Sequence, residues 1–123
     1  MRLMYVEDNR INALLFGEIV QLNGLIDLRI AETAAEAIEV AREFSPQVLV
    51  LDANLPDMSG FDLLPRLRAL PGLEAVPAFM CSADVTQQQL ERAAAEGFAG
   101  FWTKPIDIRR LMADLTAIVA DTR

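Results

Sequence analysis

Five short apolar runs alternate with five amphipathic stretches along the 123-residue chain, and that rhythm limits the folds open to it. The runs are LMYV at 3–6, IDLRIA at 26–31, VLVL at 48–51, VPAFMC at 76–81 and GFWT at 100–103. Helical spacing marks the segments between and after them. In the first, Ile11, Leu14, Leu15, Ile19 and Leu22 recur three or four residues apart, with Asn9 as N-cap and Gly24 as the stop. The second opens on the capping-box pair Thr33 and Glu36, and Pro46 lies beyond its end. The third contains Pro65, which removes one backbone hydrogen bond and predicts a kink. The fourth ends at Gly97, and the fifth starts from Asp107 as N-cap. Such alternation implies right-handed βαβ units. The unbroken VLVL run marks a strand buried on both faces of a parallel sheet. The expected fold is α/β, a five-stranded parallel sheet, doubly wound, with residues 1–123 forming one domain.

Composition removes several function classes. The chain is 53% hydrophobic, too apolar for disorder. It carries 18 acidic against 11 basic residues, which argues against direct binding of nucleic acid or of anionic membranes. No apolar run approaches the ~18 residues of a membrane span. No signal peptide precedes the first strand, so the expected location is cytoplasmic. There is no histidine, and Cys81 is the single cysteine. An intramolecular disulfide, the usual zinc and haem sites and histidine-based catalytic sets are therefore excluded. The chemistry must rest on carboxylates, hydroxyls and lysine. Cys81, inside a strand, reads as an inert core thiol.

Ligands of doubly wound folds bind outside the carboxyl ends of the strands. The first run is followed there by Glu7 and Asp8, the third by Asp52, the fourth by Ser82, and the fifth by Lys104 and Pro105. Each alone reads as an ordinary solvated loop residue. Together they are harder to dismiss. Two carboxylates 4 Å apart repel by about 1 kcal/mol in water and about 4 at an effective dielectric of 20. Three of them either raise a pKa or recruit a cation. Lys104 supplies one positive charge, and a hard divalent ion would supply two. An acidic pocket with a cation, a lysine and a hydroxyl is the outline of a phosphoryl-transfer site.

The motifs VEDN (6–9), VLVLDANLPDMSGFDLL (48–64), CSA (81–83) and FWTKP (101–105) closely resemble the receiver domains of two-component response regulators, in order and spacing, over nearly the whole chain. The resemblance implies a flavodoxin-like fold and a bacterial, cytoplasmic phosphoacceptor module, not a conventional enzyme. By it, Asp52 takes a phosphoryl group from a histidine kinase or histidine-phosphotransfer protein. Asp8 and Asp52 bind Mg2+ (or Mn2+), Glu7 contributes through water, and Asn54 offers its backbone carbonyl. Lys104 pairs with the phosphoryl oxygens, Ser82 is the switch hydroxyl and Phe101 the switch aromatic. The Lys104–Pro105 bond is expected to be cis. Phe101 stands where many receivers have tyrosine, so its switching would rest on packing alone. The run YVEDNRINALLF looks most like receivers that stand alone or are fused to hybrid sensor kinases. Implied partners are the phosphodonor, a downstream protein or fused domain, and a weak homodimer.

Two further readings compete. A haloacid-dehalogenase-like phosphohydrolase also uses a strand-end aspartate with magnesium, but it wants a second acid where this chain has Asn54. A receiver-like module that binds partners without phosphorylation would not need the full set of Asp8, Asp52, Ser82 and Lys104. Asp57 reads as a solvated turn residue. Asp84 is placed at the pocket mouth, Trp102 in packing, and Arg109 and Arg110 on a solvated helix face.

Overall fold

The computed structural model describes residues 1–22, 24, 26–104 and 106–121. The elements run β1 (Arg2–Val6), α1 (Arg10–Gln21), β2 (Asp27–Ala31), α2 (Ala34–Phe44), β3 (Val48–Asp52), α3 (Gly60–Arg68), β4 (Ala78–Ser82), α4 (Gln87–Ala95), β5 (Gly100–Thr103) and α5 (Ile108–Asp121). All neighbouring strands pair in parallel, in the order β2-β1-β3-β4-β5. This is the doubly wound sheet expected from the alternation. The order reverses between β1 and β3, so the crevice at the carboxyl ends of these strands is the topological switch point.

Strand alternation divides the core in two. Met4, Val6, Leu49, Leu51, Met80 and Phe101 pack on one side of the sheet with residues of α2, α3 and α4. Leu3, Tyr5, Val48, Val50, Phe79, Cys81 and Trp102 pack on the other with α1 and α5. Every residue of β3 is buried, Asp52 included. Trp102 stacks on Phe79 with ring centroids 4.5 Å apart, and its indole N–H donates to the Asp114 carboxylate at 2.7 Å.

Several helix ends follow local chemistry. Asn9 caps α1, its side chain accepting from the N–H groups of Ile11 and Asn12. Asp107 does the same for Arg109 and Arg110. Gly97 adopts φ of 90°, the left-handed conformation that closes α4, and the Phe98 N–H returns to the Ala93 carbonyl at 2.9 Å. The Thr33 hydroxyl caps α2 by accepting from Glu36 N–H. The Glu36 carboxylate, however, reaches back to Glu32 N–H rather than completing the box at Thr33.

Two expectations need correction. Helix α1 ends at Gln21 with Leu22 as its cap, because the Leu22 N–H turns back onto Ile19 and Val20; Gly24 lies in the turn beyond. The apolar positions whose spacing marks α1 are also, Ile19 apart, not the ones that face the core. Ala13, Phe16 and Val20 are buried, whereas Ile11, Leu14, Leu15 and Leu22 are exposed, Leu22 at 84%. At about 100° per residue the two sets lie on opposite sides of the helix. Both are apolar at helical spacing, and the sheet takes the side carrying the aromatic ring. Pro65 sits on the exposed face of α3, and the helix runs through it.

Candidate cation and phosphoryl site

The strand ends do converge. Glu7, Asp8 and Asp52 each bring a carboxylate oxygen within 4.8 Å of the others. Asp8 is exposed, Asp52 is 5% exposed, and Glu7 is fully buried. The Glu7 N–H donates to the Ala31 carbonyl at 2.9 Å, which extends the β1–β2 pairing one residue past the strand and fixes the acid at the sheet edge.

Lys104 Nζ bridges two of the acids, donating to Glu7 Oε1 at 2.5 Å and to Asp52 Oδ2 at 3.1 Å. The Asn54 N–H donates to Asp52 Oδ1 at 3.1 Å, so both oxygens of Asp52 are engaged. The Tyr5 hydroxyl makes a long contact with Glu7 Oε1 at 3.5 Å. Burial, together with the Asp52 carboxylate beside it, pushes the Glu7 carboxyl up to about 7. Burial alone would lower Lys104, but its hydrogen bonds to Glu7 and Asp52 outweigh it and hold the ammonium above its usual value. Burial also pushes the Cys81 thiol up to about 12, in keeping with an inert core cysteine.

One ammonium faces three carboxylates. Glu7 Oε2 is buried with no hydrogen-bond partner. A buried carboxylate oxygen left unpaired is costly. An oxygen-only donor set with surplus negative charge suits a hard divalent cation such as Mg2+, which keeps several waters and takes one or two carboxylates. The residues present fit that ion.

The Ser82 hydroxyl is engaged elsewhere than on the acids. Ser82 is buried, and its hydroxyl donates to the Asp84 carbonyl and accepts from the Asp84 N–H, both at 3.1 Å. It is tethered to the β4–α4 loop rather than to Asp52. Phe101 is 7% exposed and already lies within the core. Having no hydroxyl, it leaves no polar group stranded there. The side chain of Asn54 is exposed, and its backbone pairs with Ser59 across the loop base. The expected cis bond involves Pro105, which lies outside the described residues.

Sequence reasoning missed the contacts of two residues. Tyr5, inside a strand, reads only as core. Asp57 is exposed in the turn, as expected, but its carboxylate accepts from the N–H groups of Ala34 and Ala35 at 2.9 and 3.0 Å. Those bonds hold its pKa below the ordinary aspartate value. The partners lie more than twenty residues away in sequence, so no local signal marks them.

Fold and site together define a doubly wound domain with an acidic cluster that could hold a cation and a half-buried lysine at the switch point. The response regulator receiver domain family matches residues 3–116, and the chain belongs to that family. Receiver domains are signalling modules rather than conventional enzymes, and they work with histidine kinases or phosphotransfer proteins. The chain is 28% identical over 118 residues to the polar-differentiation response regulator DivK of Brucella ovis, covering 96% of this chain and 95% of that one. A CheY-like receiver domain from Methylobacillus flagellatus superposes with a TM-score of 0.85 at 29% identity, covering 96% and 98% of the two chains. A two-component response regulator from Clostridium difficile superposes with a TM-score of 0.91 over 100% and 98%; at 19% identity it speaks to the fold alone.

Proposed function

We propose that Asp52 is the phosphoacceptor of this receiver domain, loaded from a phosphohistidine donor. One observation carries the reading. Asp52 ends a fully buried strand, with a lysine on one oxygen, a backbone N–H on the other, and two further acids beside it. In the transfer, an Asp52 carboxylate oxygen attacks the phosphorus in line with the donor nitrogen. The P–O bond forms as the P–N bond breaks, and the imidazole leaves with the electron pair and takes up a proton. Hydrolysis unloads the site: water attacks phosphorus, the Asp52 O–P bond breaks, and the carboxylate and inorganic phosphate are released. Lys104 holds Asp52 in place beforehand and then neutralises phosphoryl oxygens. Mg2+, or Mn2+, would be held by Asp8, Asp52, the Asn54 carbonyl and, through water, Glu7, and would supply charge neutralisation on the transferred group.

Ser82 is proposed as the switch. Its hydroxyl would trade the backbone of Asp84 for a phosphoryl oxygen, shifting the β4–α4 loop. Phe101 would respond by packing. The exposed apolar side of α1 is proposed as the donor's docking surface. Leu15, Ile106, Ile108 and Lys104 line one small cavity of about 160 Å³, which joins that surface to the site. Residues 1–123 are read as one receiver domain acting in the cytoplasm on a downstream protein or fused domain, with weak self-association and no direct contact to nucleic acid.

Incubation with a small phosphodonor and Mg2+ tests the reading. Wild-type protein gains an acid-stable, base-labile phosphoryl group, and Asp52→Asn gains none. A wild type that takes up no phosphate sinks it. Catalytic release of phosphate from many monoesters would favour the hydrolase instead.

A further inference from the structure

The loop between β3 and α3 is attached at both ends. At its base, Asn54 N–H holds Asp52, Asn54 pairs with Ser59, and Gly60 N–H donates to the Ala53 carbonyl at 3.1 Å. At its tip, Asp57 accepts from both Ala34 and Ala35. These are the first two N–H groups of α2, which have no intrahelical acceptor. The hydroxyl of the helix's own cap, Thr33, serves only Glu36. Helix α2 therefore depends on the phosphoacceptor loop to complete its N-terminus, and the loop depends on α2 to fix its tip. Both carboxylate oxygens are used. An asparagine would turn an NH2 group toward one of the two N–H donors and lose that bond.

We infer that Asp57 is a positioning residue that ties the β3–α3 loop to α2 and thereby keeps the Asn54 backbone set against Asp52 for cation binding. The inference rests on the cation site proposed above. Asp57 does not touch the reacting atoms.

The test compares the full chain as wild type, Asp57→Ala, Asp57→Asn and Thr33→Ala. Amide hydrogen exchange is measured on metal-free protein, and Mg2+ binding by calorimetry. Loss of the two charge-assisted bonds is expected to speed exchange at Ala34, Ala35 and also Asn54 by roughly five- to tenfold, and to weaken Mg2+ binding by a similar factor. Asp57→Asn falls between wild type and Asp57→Ala, and carries the comparison if Asp57→Ala does not fold. Thr33→Ala speeds exchange at Glu36 but leaves Asn54 and Mg2+ affinity unchanged. The inference is overturned if Asn54 exchange is unaffected by both Asp57 variants, or if Thr33→Ala affects Asn54 equally. A wild type that binds no Mg2+ sinks the cation site, and exchange at Asn54 then decides the clamp alone.

Discussion

Glu7 is the residue on which metal-free behaviour turns. Its carboxyl is buried, shares Lys104 with Asp52, and keeps one oxygen unpaired. Its folded pKa, about 7, lies above the ordinary 4.5. A carboxyl raised in the folded state contributes stability below its unfolded value and loses it as pH rises through the folded one. Protein stripped of divalent ions is therefore expected to melt at falling temperatures from about pH 5 to about pH 8, and Glu7→Gln to flatten the slope. Thermal melts in chelator at several pH values check this; equal slopes in the two proteins would contradict it. Asp57 titrates with the opposite sign. Its depressed pKa means that its contribution is complete above the ordinary 3.8 and is lost only as pH falls through the lower folded value, outside the Glu7 window.

At the scale of elements, α1 carries its core residues and its proposed docking residues on opposite faces. Phe16→Ala empties a core position and is expected to cost about 3–5 kcal/mol in urea unfolding. Ile11→Ser or Leu14→Ser is expected to stay within about 0.5 kcal/mol of wild type. Under the proposed docking role these two variants slow loading from a protein donor while leaving loading from a small phosphodonor unchanged. Slowing of both reactions would place the defect in the site rather than the surface. The start of α3 is equally constrained. A Cβ on Gly60 would lie 2.4 Å from the Asp52 carbonyl oxygen, so Gly60→Ala must shift the backbone that carries the acid. Its expected cost is about 1–3 kcal/mol, with loss of phosphorylation.

At the scale of the whole molecule, the carboxyl edge of the sheet is where negative charge gathers and where the proposed cation would offset it. Mg2+ at a hundred times its dissociation constant is expected to stabilise the fold by about 2.7 kcal/mol. It is also expected to reverse the pH slope of the metal-free protein, because its ligands must be deprotonated. Denaturant titrations with and without the ion check both. Much of this edge was legible in the sequence. Five apolar runs set the strand count, and the polar residue closing each of four runs marked the edge that parallel strands must share. The face of α1 was not legible, because Ile11, Leu14 and Leu15 carry the same periodicity as Ala13, Phe16 and Val20. Only the sheet chooses between them. The Asp57 clamp was hidden because both its partners are backbone N–H groups, which no side-chain pattern announces. The resting place of the Ser82 hydroxyl was hidden for the same reason, its partners being the backbone of Asp84.

Trp102 gives the molecule an optical reporter of its own. It is the chain's single tryptophan, 2% exposed, stacked on Phe79 and hydrogen-bonded to Asp114. Its neighbour in the chain is Phe101, and its partner across the β4–β5 ladder is Cys81, the residue before Ser82. A rearrangement that frees Ser82 from its loop would be transmitted to the indole through one backbone step. Emission from an unlabelled sample could then follow loading and decay in real time, with Asp114→Asn marking how much of the signal depends on the β5–α5 contact.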